Sequence, residues 1–152
     1  MASLTIVPME PEHLVRIDLR DFDAKGLRAW PAFASRYKLA RFYQSGGPTW
    51  SGLDGDTVVA CAGVWFERRE LAHGWAVTSA HVAAHALSFH KAFRRHIEAV
   101  WNDFPQLRRL QTCVHADHTV SQAWLGRLGL EPEGRMRRFL NGDDYILYAR
   151  VR

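Results

Sequence analysis

The 152-residue sequence predicts an α/β (α+β) fold: a mixed, mostly antiparallel sheet of about six to seven strands flanked by about four helices. Three observations predict it. Thr57–Trp65 is apolar almost throughout, as in a central strand covered on both faces. Trp75–Trp101 reads as a strand running directly into a long helix, with Ala86, Phe93, Ile97, Val100, Trp101 and Phe104 at helical spacing. The tail alternates about Asn141-Gly142-Asp143, as a final hairpin does.

Leu4–Val7 is a short first strand ended by Pro8, and Glu10–Leu19 is a helix with Pro11 in its first turn. A second helical stretch, about Ala24–Phe42, is interrupted at Trp30-Pro31. Gln44–Pro48 is a loop. A meander follows: Thr49–Leu53, the turn Asp54-Gly55-Asp56, Thr57–Phe66, the turn Arg68–Glu70, then Leu71–Val77. Thr78-Ser79 turns the chain into the long helix, which reaches Pro105 with Ser79 as its cap. Leu110–Ala116 is the next strand, Val120–Leu128 a short helix stopped at Gly129, and Arg135–Leu140 with Asp144–Val151 the closing pair.

This length suits one well-buried core, so residues 1–152 read as a single domain. No apolar run is long enough to span a membrane, and the N-terminus lacks a basic segment followed by an apolar one. Cytoplasmic placement follows by default. Cys61 and Cys113 each fall within a strand and read as buried thiols of a reducing compartment. A net charge of +4 favours anionic ligands without choosing among coenzyme, nucleic acid and acidic protein.

The order of elements, together with Val120–Gly134 (helix, Leu128-Gly129-Leu130, then Glu131-Pro132-Glu133-Gly134) and the closing strand Gly142–Arg150, resembles the GNAT acyl-CoA N-acyltransferase superfamily. The resemblance covers the chain from Thr49 onward. It implies acetyl-CoA or another acyl-CoA as co-substrate, lodged where the strand ending at Val77 parts from the strand ending at Ala116. The coenzyme arm would pair with backbone near Trp75 and Val77, and its pyrophosphate would sit on amides from Ser79 and Ala80 into the helix. His81 and His85 would stand where the family keeps Arg or Gln, and His118 where it often keeps an Asn. The acyl group would pass directly to an amine on a small molecule or protein, with the Val77 amide as oxyanion donor. The chain departs from the family pattern in two places. No glycine lies between Gly74 and Gly126, and Leu125 stands where the family often has an acidic Tyr. Divergent chains of this length are similar to bacteriophage GNAT-like proteins, which implies the host cytoplasm and, as an alternative function, a binding or structural component without catalysis.

Acyl transfer to an amine requires a base and an oxyanion donor. His73 has a suitable ordinary pKa, and Glu70 stands at the strand start where the family often keeps a carboxylate; these are the catalytic candidates. His81 and His85, four apart, share a helix face and also have a metal-binding spacing, while Cys113, His115 and Asp117 share a strand face. Without a Cys-x-x-Cys pair, no metal is expected. The basic clusters Lys91/Arg94/Arg95, Arg108/Arg109 and Arg135/Arg137/Arg138 are able to meet a coenzyme phosphate or a nucleic-acid backbone. The large aromatics fall at core spacing, which disfavours single-strand binding.

Overall fold

The computed structural model describes residues 3–28 and 35–152. Its strands are β1 (Thr5–Pro8), β2 (Thr49–Asp54), β3 (Thr57–Arg68), β4 (Leu71–Thr78), β5 (Arg109–His115), β6 (Glu131–Leu140) and β7 (Asp143–Val151). The α-helices among the described residues are α1 (Pro11–Arg16), α2 (Asp21–Arg28), α3 (Arg36–Gly46), α4 (Ala86–Asp103) and α5 (Thr119–Arg127). The seven strands form one mixed sheet, order β1-β2-β3-β4-β5-β7-β6, in which only β4 and β5 are parallel. This is the GNAT-like α/β architecture expected.

The hairpin turns follow from their residues. Gly55 takes φ 58° between β2 and β3, and Asn141 and Gly142 take φ 53° and 77° between β6 and β7. Asn and Gly tolerate that left-handed region best, and its twist matches paired strands. Val58 through Val64 on β3 are all buried, because helices cover both sides of the sheet. On the front face, α1 and α3 pack Leu14, Ile17 and Leu39 against Cys61, Trp75 and Val77. On the back face, α4 and α5 pack Phe93, Ile97, Val100 and Leu125 against Ala62, Val64, Ala72 and Leu110. Each large side chain so buried contributes roughly 1.5–3 kcal/mol.

Several element boundaries differ from expectation; β6, for one, begins at Glu131, four residues before Arg135. The first helix was expected to reach Leu19 but ends at Arg16, where Ile17 turns extended (φ −60°, ψ 131°). The extended segment brings Leu19 beside Ser79 and lets the Arg20 amide donate to the Thr78 carbonyl at 3.0 Å. The loop expected over Gln44–Pro48 is shorter, since α3 continues to Gly46. A Cβ on Gly47 would stand 2.3 Å from the Val64 carbonyl oxygen, so glycine permits that close crossing. The long helix does not begin at Ser79. Ala80–His85 forms a 3-10 turn first, and α4 starts at Ala86. The break expected at Trp30-Pro31 lies outside the described residues.

Candidate functional site: the notch between β4 and β5

The parallel pair β4–β5 holds for three positions only: Leu71 with Arg109, Ala72 with Leu110, and His73 with Gln111. Beyond them β4 continues to Thr78 and β5 to His115 without pairing to each other. The strands part, and the divergence leaves a notch toward their C-terminal ends. The alternation of a strand decides which backbone groups face it. The Ser79 amide donates to the Val59 carbonyl at 2.9 Å, on the β3 side. Val77 and Trp75, opposite Cys61 and Gly63, therefore also direct their backbone groups to β3. Gly74, Ala76 and Thr78 direct theirs toward the notch. This corrects the expectation that Trp75 and Val77 offer backbone to the coenzyme arm, and that the Val77 amide is the oxyanion donor. On the notch side, the His73–Gln111 pairing uses the Gly74 amide on the Gln111 carbonyl, so Ala76 is the first amide beyond the paired stretch.

The side chains of Trp75 and Val77 enter the front-face core. Tyr43 of α3 stacks on Trp75 with ring centroids 3.8 Å apart, and burial pushes its phenol up to about 12, with the nearby Cys113 adding to the effect. Burial likewise raises the Cys113 thiol. Both groups stay protonated at neutral pH, so Cys113 is not a thiolate nucleophile.

His73 occupies the last paired position of β4, stacked on Trp65 at 4.1 Å. Its Nε2 lies 2.8 Å from Oε2 of Glu67. A carboxylate only accepts, so Nε2 is the donor of this bond and Nδ1 is the nitrogen it leaves unengaged. Glu70, the other catalytic candidate, is exposed in the β3–β4 turn, where its carbonyl accepts the Arg108 and Arg109 amides. The carboxylate beside His73 is thus Glu67. Regular pairing about Arg69-Glu70 would set Glu67 opposite Ala72, on the other face from His73; the register shift between Phe66 and Arg68 puts Trp65 opposite His73 and brings Glu67 to its side.

The mouth of the notch is built from four elements. Asp23 of α2 accepts both the Thr78 amide and the Thr78 hydroxyl, each at 3.1 Å, and pairs with Arg20 Nε at 3.2 Å. Phe22, beside it, stacks on His118 at 4.3 Å and tilts against His115 at 5.2 Å. α2 therefore reaches from the end of β4 to the end of β5. His118, the N-cap of α5, is held below the ordinary histidine range chiefly by burial, with Arg20 adding to it. His115 Nδ1 accepts the Asp117 amide and Nε2 donates to Asp143 at 2.9 Å, while Gln122 donates to the His115 and Ala116 carbonyls.

The turn after β4 satisfies its own amides. His81 N–H donates to Ser79 Oγ and Val82 N–H to the Ser79 carbonyl. Ser79 caps the turn as expected, but with the Thr78 and Ser79 amides also engaged, this is not the row of bare N–H groups an α-helix start presents. His81 and His85 do not share a face either. A 3-10 turn repeats every three residues, which separates positions four apart. His85 is buried, with Nε2 3.1 Å from Asp54, whereas His81 and Ala80 are exposed. His81 lines a cavity of about 400 Å³ with Arg16, Asp18 and Asp56, on the β3 flank of β4. No group of three or more His, Cys, Asp or Glu among the described residues is arranged to hold a metal ion. No described helix is long and apolar enough to cross a membrane.

No protein-family model matches the chain, and no curated protein matches it. Solved structures do. A GNAT superfamily phosphinothricin acetyltransferase from Sinorhizobium meliloti, in complex with acetyl-CoA, is similar over 99% of this chain and 89% of its own (TM-score 0.65, 14% identity). A ribosomal L7/L12 α-N-protein acetyltransferase in complex with coenzyme A is similar over 99% and 95% (TM-score 0.70, 14% identity). An IAA acetyltransferase from Bacillus cereus is similar over 99% and 100% (TM-score 0.69, 15% identity). The chain has the fold of the GNAT acetyltransferases.

Proposed function

We propose that this chain is an acyl-CoA-dependent N-acyltransferase, passing an acetyl or other acyl group directly to an amine. The observation that carries the reading is the parting of β4 from β5 after His73 and Gln111, which leaves the backbone edge from the Gly74 carbonyl to Ala76 unpaired by a neighbouring strand. An extended amide-bearing arm such as pantetheine fits such an edge, because its amides take the place of a missing strand. On the back face, Ala72, Gly74 and Ala76 are small enough to let it approach.

In this reading His73 Nδ1 takes the proton of the attacking ammonium, directly or through one water, and Glu67 holds the imidazole in the tautomer that can do so. The amine then adds to the thioester carbonyl, and the Ala76 amide, the first beyond the β4–β5 pairing, donates to the oxygen as it becomes negative. Breaking the carbon–sulfur bond releases a thiolate, which takes up the second proton that the nitrogen sheds as it becomes an amide, and the first proton, gathered at the base, leaves through solvent. With Cys113 protonated, no acyl-enzyme intermediate is invoked.

The diphosphate of the coenzyme fits less simply. The amides of Thr78, Ser79, His81 and Val82 are already bonded within the chain, and Asp23 places a carboxylate on Thr78. That arrangement favours a second reading: a GNAT-fold binding protein without catalysis. Thermal melts with acetyl-CoA, together with release of free CoA thiol in the presence of mixed amines, decide between them. A ligand that binds the native state at a hundred times its Kd stabilises it by about 2.7 kcal/mol. Stabilisation with thiol release supports the transferase. An unchanged melt at millimolar acetyl-CoA refutes it.

A further inference from the structure

We propose that the bulge in β6 presents Arg137 and Arg138 side by side as a binding site for a phosphate group. In a regular strand neighbouring residues face opposite sides, so these two guanidiniums would be separated. Here the β6–β7 register jumps from Met136 opposite Tyr145 to Leu140 opposite Asp143, leaving Arg137, Arg138 and Phe139 across from Asp144 alone. Arg138 takes φ 51°, a left-handed conformation uncommon for a residue other than glycine. Its amide leaves the ladder and donates to Asp144 Oδ1 at 2.9 Å, while Asp144 Oδ2 accepts Arg135 Nε at 2.7 Å. Held in this way, Arg137, Arg138 and Asp144 line one concavity of about 700 Å³.

The charges around it are committed, except for two. Asp144 is balanced by Arg135, Asp143 is bonded to His115, and Glu133 to Arg109. Among the described residues, no hydrogen bond or ion pair engages the guanidinium of Arg137 or of Arg138. Two planar forks facing one hollow match a tetrahedral dianion, because each can give two parallel N–H donors to phosphate oxygens. A single carboxylate leaves one fork unused. The Asp144 carbonyl also accepts the Ala116 amide, which ties this hollow to the end of β5 at the mouth of the notch. The site stands independently of the transferase reading. Its phosphate would come either from the 3′-position of a CoA or from another phosphorylated ligand.

The test is isothermal titration of the full chain with inorganic phosphate at constant ionic strength. Arg137→Gln/Arg138→Gln is compared with Arg94→Gln/Arg95→Gln, which removes the same charge from α4. We expect the β6 pair to weaken phosphate binding about tenfold or more and the α4 pair to leave it unchanged. Equal losses in both variants, no measurable phosphate binding, or equal binding of acetate would overturn the proposal. Asp144→Ala, which removes the acceptor of the Arg138 amide, separates geometry from charge. It should weaken phosphate binding by releasing the bulge, although it makes the hollow more positive; tighter binding would overturn the built site. CoA and 3′-dephospho-CoA then identify the source. Loss confined to CoA in the β6 variant supports the site with the coenzyme as ligand. Equal behaviour of both, alongside lost inorganic phosphate binding, supports it with a different ligand.

Discussion

Removing the Asp23 carboxylate should both destabilise the fold and open the coenzyme path. The side chain is 15% exposed and receives three donors: the Thr78 amide, the Thr78 hydroxyl and Arg20 Nε. Hydrogen bonds to a charged group contribute roughly 1.5–3 kcal/mol each, but these do not add, because Arg20 recovers water once released. The Thr78 amide, on a residue only 4% exposed, recovers least. Asp23→Ala should therefore cost about 2–3 kcal/mol, a fall in Tm of about 4–12 °C for a chain of this size. Asp23→Asn, which keeps an acceptor, should lose about half of that. The same substitution clears a negative charge and a bonded amide from the mouth of the notch, so acetyl-CoA should bind more tightly. Urea melts and calorimetric titration measure the two effects. A destabilisation below about 0.5 kcal/mol would refute the clamp, and weaker acetyl-CoA binding would refute its place across the coenzyme path.

His73→Asn should lower the rate of acyl transfer by about 10²–10⁴-fold, and Glu67→Gln by less, with the stability of each unchanged within about 1 kcal/mol; steady-state kinetics and melts check both. Stability should fall as pH drops below about 6.5. Folding holds His13 and His118 below their unfolded value, so under acid conditions the unfolded chain binds more protons and gains. Urea melts from pH 7.5 to 5 should show the decline, shallower in His118→Asn. Cys61, whose thiol burial pushes up to about 11, should react with a thiol reagent at pH 8 only on unfolding. Gly47→Ala should cost roughly 1–3 kcal/mol in a urea melt, from the clash with the Val64 carbonyl.

The strands and turns were legible because their signals are local. The uninterrupted apolar run of β3, Asp54-Gly55 and Asn141-Gly142 each specify backbone through near neighbours. The parting of β4 and β5 was legible only through resemblance, since no residue in either strand announces where pairing stops. The remainder of the site depends on contacts far apart in sequence. Asp23 reaches Thr78 across 55 positions, and nothing in Asp21–Arg28 marks it for that role. The 3-10 turn at Ala80–His85 separates two histidines that helical periodicity places together. Neither the Glu67–His73 pair nor the bulge at Arg137–Phe139 was available from hairpin register, because the first depends on a register shift between Phe66 and Arg68 and the second on an Asp144 carboxylate that takes an amide out of the ladder.

Amide hydrogen exchange, resolved by residue across β4 with and without acetyl-CoA, reads the notch most directly. In the free protein the Gly74 amide, bonded to β5, and the Trp75 and Val77 amides, turned to β3, should exchange slowly and that of Ala76 fast; acetyl-CoA should slow Ala76 and leave the others as they were. Uniformly slow exchange along β4 in the free chain, or an Ala76 amide indifferent to acetyl-CoA, would contradict an acyl-CoA notch at this strand edge.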